Sequence, residues 1–266
     1  MARATHKSDG LPPSGLRIWV SLCLASCLLA GAASGAEGEF AAFARHVFTE
    51  AEARYARDPG NPEAAWQMAR AEFDLAEFST NNAQRAALAQ QSIAACRKAL
   101  EQAPQSVPVR YYLAMNLGQL ARTKSLGALK LVDQMEREFA FAREHDPHFD
   151  YAGPDRNLGL LYRDAPLIGS IGSRSKARQH LQRAVELEPD YPENRLNWVE
   201  SCLKWSDRAE ARRQIQILET QWAAARKVFA GPAWASSWAD WEQRLGKFRK
   251  KAGDSAKALE SPRRKE

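Results

Sequence analysis

The sequence predicts an all-α protein, a solenoid of about four helix pairs with elongated repeats and one flanking helix at each end. Three observations predict it. Ala, Arg, Glu, Gln and Leu dominate a chain of 266 residues with only 13 Pro and 15 Gly, which favours helices. No convincing run of alternating apolar and polar residues marks a strand. The prolines also recur as punctuation: Pro59, Pro104, Pro147 and Pro189 each close a helix, and Pro62, Pro108, Pro154 and Pro192 each open one. The closing prolines stand 45, 43 and 42 residues apart, so one unit is being repeated.

In chain order, Met1 to Gly15 is polar. Arg17 then precedes an apolar run, Ile18 to Ala30, with small residues to Ala36. A positive residue, a short apolar core and a small-residue end make an export signal, which places the body in the periplasm. Residues 1–36 are therefore expected to be a removable segment, 37–252 the helical domain and 253–266 a polar basic tail. Two exits fit. Ser34-Gly35-Ala36 suits ordinary cleavage before Glu37. Leu24-Ala25-Ser26-Cys27 suits a lipoprotein box, in which Cys27 is lipidated and tethers the protein to the membrane.

A first helix is expected over Phe40–Ala56, with Phe40, Phe43, Val47 and Phe48 on one stripe. Four pairs follow: 62–79 with 83–103, 108–122 with 126–145, 154–163 with 174–188, and 192–204 with 207–228. Ala99, Ala142 and Ala184 each stand five residues before a closing proline. Asn116-Leu117-Gly118 recurs 41 residues later as Asn157-Leu158-Gly159, and Asn197-Trp198-Val199 holds the same phase. Small residues at Gly159, Ala177 and Ala184 allow paired helices to approach closely. This is the pattern of a tetratricopeptide repeat (TPR), with a period longer than the usual ~34 residues. After Gly231-Pro232, Trp234, Trp238 and Trp241 form a helical stripe that would cover the open end.

The body also resembles the T-component family of TRAP-type solute transporters, best from Ser106 to Arg208 and more weakly from Asn61 to Ala103. The resemblance rests on Tyr112 to Gly118, Gly153 to Tyr162, Asp164-Ala165-Pro166 and Glu188 to Asn194. It implies an all-helical extracytoplasmic protein that associates with itself and with a periplasmic solute-binding protein. It further implies assistance in capturing a small apolar solute. The other reading of the same repeats is a general cell-envelope scaffold for protein–protein interaction.

Net charge is +6, but much of the excess lies at Arg3, Lys7, Arg17, Lys247 to Lys251 and Arg263 to Lys265. The body is nearly balanced, so the charge makes no case for nucleic acid. No Ser-His-Asp order, phosphate loop or inward carboxylate pair appears, so neither an enzyme nor a cofactor is expected. Cys96 and Cys202 read as buried, inert thiols in the first and last repeats. His145-Asp146-Pro147-His148 reads as a solvated loop rather than a metal site, and His180 as a surface residue. Six of the eight tryptophans lie between Trp198 and Trp241 and read as core, with Trp205 the exception near a turn.

The binding candidates are the polar residues of the first helices and one loop. Asn116, Gln119, Arg122, Arg156, Asn157 and Arg163 fall where first helices line a concave face, although Asn116 and Asn157 could equally bond within the stack. The loop Asp164 to Ser173 carries Leu167, Ile168 and Ile171. Three aliphatics are expected to be mostly removed from water, against the solenoid or a partner, since burying each is worth about 1.5–3 kcal/mol. Lys124 to Gly127 extends the preceding repeat at the equivalent place, so both insertions should lie on one edge.

Overall fold

Local chemistry sets where the helices begin. The computed structural model describes residues 33–124 and 127–259. Pro62 occupies the first turn of α2 (Pro62–Ala76), and the Asn61 side chain accepts from the Glu63 and Ala64 amides. Pro108 and Pro192 take the same role in α4 (Val107–Arg122) and α8 (Pro192–Lys204). The second helices start on capping side chains instead. Asn81 accepts from the Gln84 amide at α3 (Asn82–Gln102), Ser173 from Lys176 at α7 (Arg174–Leu187), and Asp207 from Glu210 at α9 (Arg208–Val228). α5 (Ala128–His145) follows Gly127, whose φ of 80° suits glycine. α1 (Ala33–Arg57), α6 (Phe149–Asp164), a 3₁₀ turn at Pro232–Trp234 and α10 (Ala235–Leu259) complete the chain. All regular structure among the described residues is helical.

The helices pack as antiparallel pairs, α2 with α3, α4 with α5, α6 with α7 and α8 with α9. The first members of successive pairs touch one another; α1 lies against α2, and α10 closes over α8 and α9. The expected solenoid of four pairs with two flanks is therefore the fold. Close approach depends on small residues: Ala99, Ala142, Ala177 and Ala184 are fully buried. A Cβ at Gly159 would stand 2.6 Å from the Leu181 Cγ. The terminal tryptophans are core, as expected. Trp241 donates to Glu193 at 2.6 Å and Trp238 to the Phe229 carbonyl at 2.6 Å.

Three details differ from expectation. The helical backbone of α10 continues past Gly253 to Leu259, and α1 begins at Ala33, upstream of Phe40. α6 opens five residues before Pro154, because Asp150, Tyr151 and Ala152 form a left-handed turn (φ 53°, 56° and 58°) that leads into the right-handed helix at Gly153-Pro154. Cys96 and Cys202 are buried and free, each thiol raised by burial, that of Cys202 to about 12. The export signal and Cys27 lie outside the described residues.

Candidate functional site: the inner-helix junction

The inner helices α2, α4, α6 and α8 are buried on nearly every face, and they carry charged and polar side chains into the interior. The centre of this arrangement is Arg156, whose side chain is 0% exposed. Its Nη2 donates to Asp150 Oδ2 at 2.8 Å. Its Nη1 donates to the carbonyls of Asp150 (3.1 Å) and Tyr151 (3.0 Å) and to Asn194 Oδ1 (3.1 Å). Tyr111 Oη donates to the same Asp150 carboxylate at 2.5 Å and accepts from Asn157 Nδ2 at 2.8 Å. Asn194 Nδ2 donates in turn to the Tyr151 and Ala184 carbonyls. Three successive repeats thus meet at one buried ion pair.

The left-handed turn makes this meeting geometrically achievable. Positive φ costs a non-glycine residue about 1–2 kcal/mol, so three in a row persist only when their surroundings compensate. The turn aims two carbonyls and a carboxylate at one guanidinium. Gly153 completes it, since a Cβ there would stand 2.4 Å from Tyr111 Oη. Burial pushes the Asp150 pKa up despite the pull of Arg156 and Arg70, and pushes the Tyr111 pKa well up. Burial alone would lower the Arg156 pKa, but Tyr111 and Asp150 raise it, so the guanidinium keeps its charge.

The other expected first-helix residues are also ties between repeats. Asn116 is 0% exposed and donates to the Ala69 and Tyr112 carbonyls, both at 2.9 Å, joining α4 to α2. Gln119 and Arg122 both donate to Glu77. Asn157 also reaches Met115 Sδ at 3.3 Å. Arg163 is held by Asp164 at 2.7 Å and by Glu200 and Ser201 at 3.2 Å. Among these six only Arg122 keeps appreciable exposure. Certain polar atoms in this row have no protein partner: Arg70 Nη2, Asn116 Oδ1, Asn157 Oδ1 and Arg156 Nε. Asn116 is tied to α2 through the Ala69 carbonyl, and Asn157 to α4 through Met115 Sδ, so these two side chains sit on adjoining inner helices.

The loop after α6 behaves differently from expectation. Leu167 is 75% exposed and Ile168 is 93% exposed, so neither packs on its own repeat; Ile171 alone turns back against the core. The physical reason lies at the neck. The Gly172 amide donates to the Pro166 carbonyl (3.1 Å) and the Ser173 amide to the Tyr162 carbonyl (2.9 Å), so the tip between them points outward.

His180 also departs from its expected surface position. It is half-buried, 2.7 Å from Asp155 Oδ1, and stacks on Tyr162. His145 lies on Phe141, whereas His148 meets Glu188 at 2.7 Å, so the two imidazoles serve separate contacts. Among the described residues no cluster of three or more His, Cys, Asp or Glu could hold a metal. Sequence reasoning missed Asp150 and Tyr111 as members of the junction. It also missed Glu193, which accepts from Trp241 and from Arg244 at 2.7 Å. The available signal was Tyr111 standing five residues before Asn116, in the stretch whose phase was already fixed.

The comparisons with known proteins fit this architecture. The model of the family described as regulator of microtubule dynamics protein 1-3 matches residues 34–148, less than half of the chain. The crystal structure of a thermophilic TPR protein from Thermus thermophilus superposes with a TM-score of 0.54 at 20% identity, covering 80% of this chain and 98% of that one. The chain has a TPR-like fold. None of the curated proteins compared matches it.

Proposed function

We propose that this protein is an exported, non-enzymatic TPR-like adaptor, accessory to a TRAP-type solute-uptake system and working beside a periplasmic solute-binding protein. The observation that carries the reading is the buried junction. Arg156, Asn157 and Asn194 come from the segments on which the resemblance to transporter T-components rests, Gly153 to Tyr162 and Glu188 to Asn194; Asp150 and Tyr151 just before them and Tyr111 on α4 complete the junction. Generic repeat packing needs small and aromatic residues at these contacts, not an Arg–Asp pair on a left-handed turn.

The solute is received along the same inner row. Arg70 Nη2 is a donor without a partner, and Asn116 Oδ1 and Asn157 Oδ1 are acceptors without one. Phe73, Tyr112, Met115 and Leu117 supply apolar walls. A small, largely apolar solute with one polar end fits this set. The row is shielded from solvent, so access requires the inner helices to part, and association should be slower than ordinary docking.

Gentle purification of the native complex, with its polypeptides identified by mass, tests the adaptor role. A solute-binding protein recovered in stoichiometric amount is the expected result. Recovery of unrelated envelope proteins alone would instead favour the general scaffold.

A further inference from the structure

The edge of the solenoid where inner helices turn into outer ones has a consistent surface. An apolar residue stands at or near each turn: Phe78 after α2, Leu129 at the start of α5, Leu167 and Ile168 after α6, and Trp205 after α8. Leu129 is 45% exposed and the loop pair more so, while Phe78 and Trp205 are half-buried. The turns share one edge because inter-repeat ties join the ends of the inner helices. Glu77 holds Arg122 at 2.7 Å, and Asp164 holds Lys204 at 2.7 Å.

Charge on this edge is predominantly positive. Lys124, Lys130, Arg174 and Lys176 are exposed. Of the acidic groups nearby, Glu77 is engaged by Gln119 and Arg122, Asp164 by Arg163 and Lys204, and Asp207 by Arg178, while Asp133 stands exposed one turn beyond Lys130. Trp205 lies between two guanidinium groups, 5.2 Å from that of Arg174 and 5.5 Å from that of Arg178. Exposed aliphatic tips, a Trp at the margin and exposed cations outside any ion pair among the described residues are the combination that suits a headgroup–acyl boundary.

The loop is built to hold its tips out. A Cβ at Gly172 would stand 2.3 Å from the Ala165 carbonyl oxygen, so the neck closes more tightly than any other residue permits. Only a few residues remain free above it. We propose that this edge rests on an anionic lipid surface, with Leu167 and Ile168 entering the bilayer boundary and Arg174, Lys176 and Lys124 facing the headgroups. A bilayer suits separate projecting tips, which a protein partner would have to meet with a matching pocket for each.

A reporter at the tip separates this contact from any binding by the N-terminal segment. In the full chain carrying Cys23→Ser and Cys27→Ser, Ile168→Cys is labelled with an environment-sensitive nitrobenzoxadiazole dye. Cys96 and Cys202 are buried and stay unlabelled. Vesicles of phosphatidylcholine with one-quarter phosphatidylglycerol should shift the emission to the blue. Pure phosphatidylcholine should need about ten-fold more lipid for the same shift, and so should the variant Arg174→Gln/Lys176→Gln on the anionic vesicles. The same dye at Glu186→Cys, 64% exposed on α7, should not respond. A water-like tip signal on protein that floats with the vesicles would overturn the proposal. So would a blue shift without lipid that grows with protein concentration, which would assign the edge to a second copy.

Discussion

Arg156 is where the cost of burying charge and the need to join repeats meet. It is fully buried, paired with Asp150 and bonded to three further oxygens, so the guanidinium is compensated rather than stranded. Removing one partner of such a pair leaves the other charged in an apolar interior. Arg156→Met should cost about 3–5 kcal/mol by urea denaturation, with Asp150→Asn in the same background recovering part of it. A second buried carboxyl is sensitive to pH. Glu72 is 0% exposed, is hydrogen-bonded by Ser92, and has its pKa raised to about 8, first by burial and further by Glu52. Between about pH 4.5 and 8 the folded state keeps a proton that the unfolded state has released. Stability should therefore fall as pH rises through that window and level off above it, by up to about 1.4 kcal/mol per pH unit. Glu72→Gln should flatten the fall in a thermal melt series. Asn157 was legible as an interior tie, since bonding within the stack was one of its two readings, whereas Arg156 was expected on an open concave face and is buried instead. Their partners were not legible, since Asp150 sits in a stretch read as a loop and its left-handed turn contains no glycine to mark it.

At the level of elements, the α6–α7 loop shows how far composition misleads. Three aliphatics in a loop suggested burial, because water penalises each one. The hydrogen bonds at Gly172 and Ser173 close the neck, however, so only Ile171 can reach the core. Leu167→Ser/Ile168→Ser should leave chemical stability within about 0.5 kcal/mol of wild type, as exposed substitutions do. Gly172→Ala should lower the melting temperature measurably, since its new methyl group would collide with backbone rather than with a side chain that can swing away. Helix boundaries were legible wherever a proline or a capping side chain fixed them, as at Pro62, Ser173 and Pro192. They were misread at α10, where Gly253 carries no positive φ and does not interrupt the helix.

At the level of the whole molecule, the repeat period and the tryptophan stripe sufficed to read the solenoid and its cap. Both are set by local spacing, and packing between neighbours follows from it. Deleting residues 235–266 should expose the apolar faces of α8 and α9, with loss of cooperative unfolding and aggregation visible by light scattering. Spacing does not encode which interior polar groups are structural ties and which are left to receive a ligand; that depends on contacts about 40 residues apart in the chain. Native mass spectrometry of gently purified wild-type protein beside the variant Asn116→Ala/Asn157→Ala separates the two. The inner row as a solute site predicts a small non-covalent adduct on wild type that disappears from the variant while its helical circular dichroism is retained. An adduct of equal occupancy on the folded variant, or no adduct on either protein even after incubation with cell extract, would contradict it.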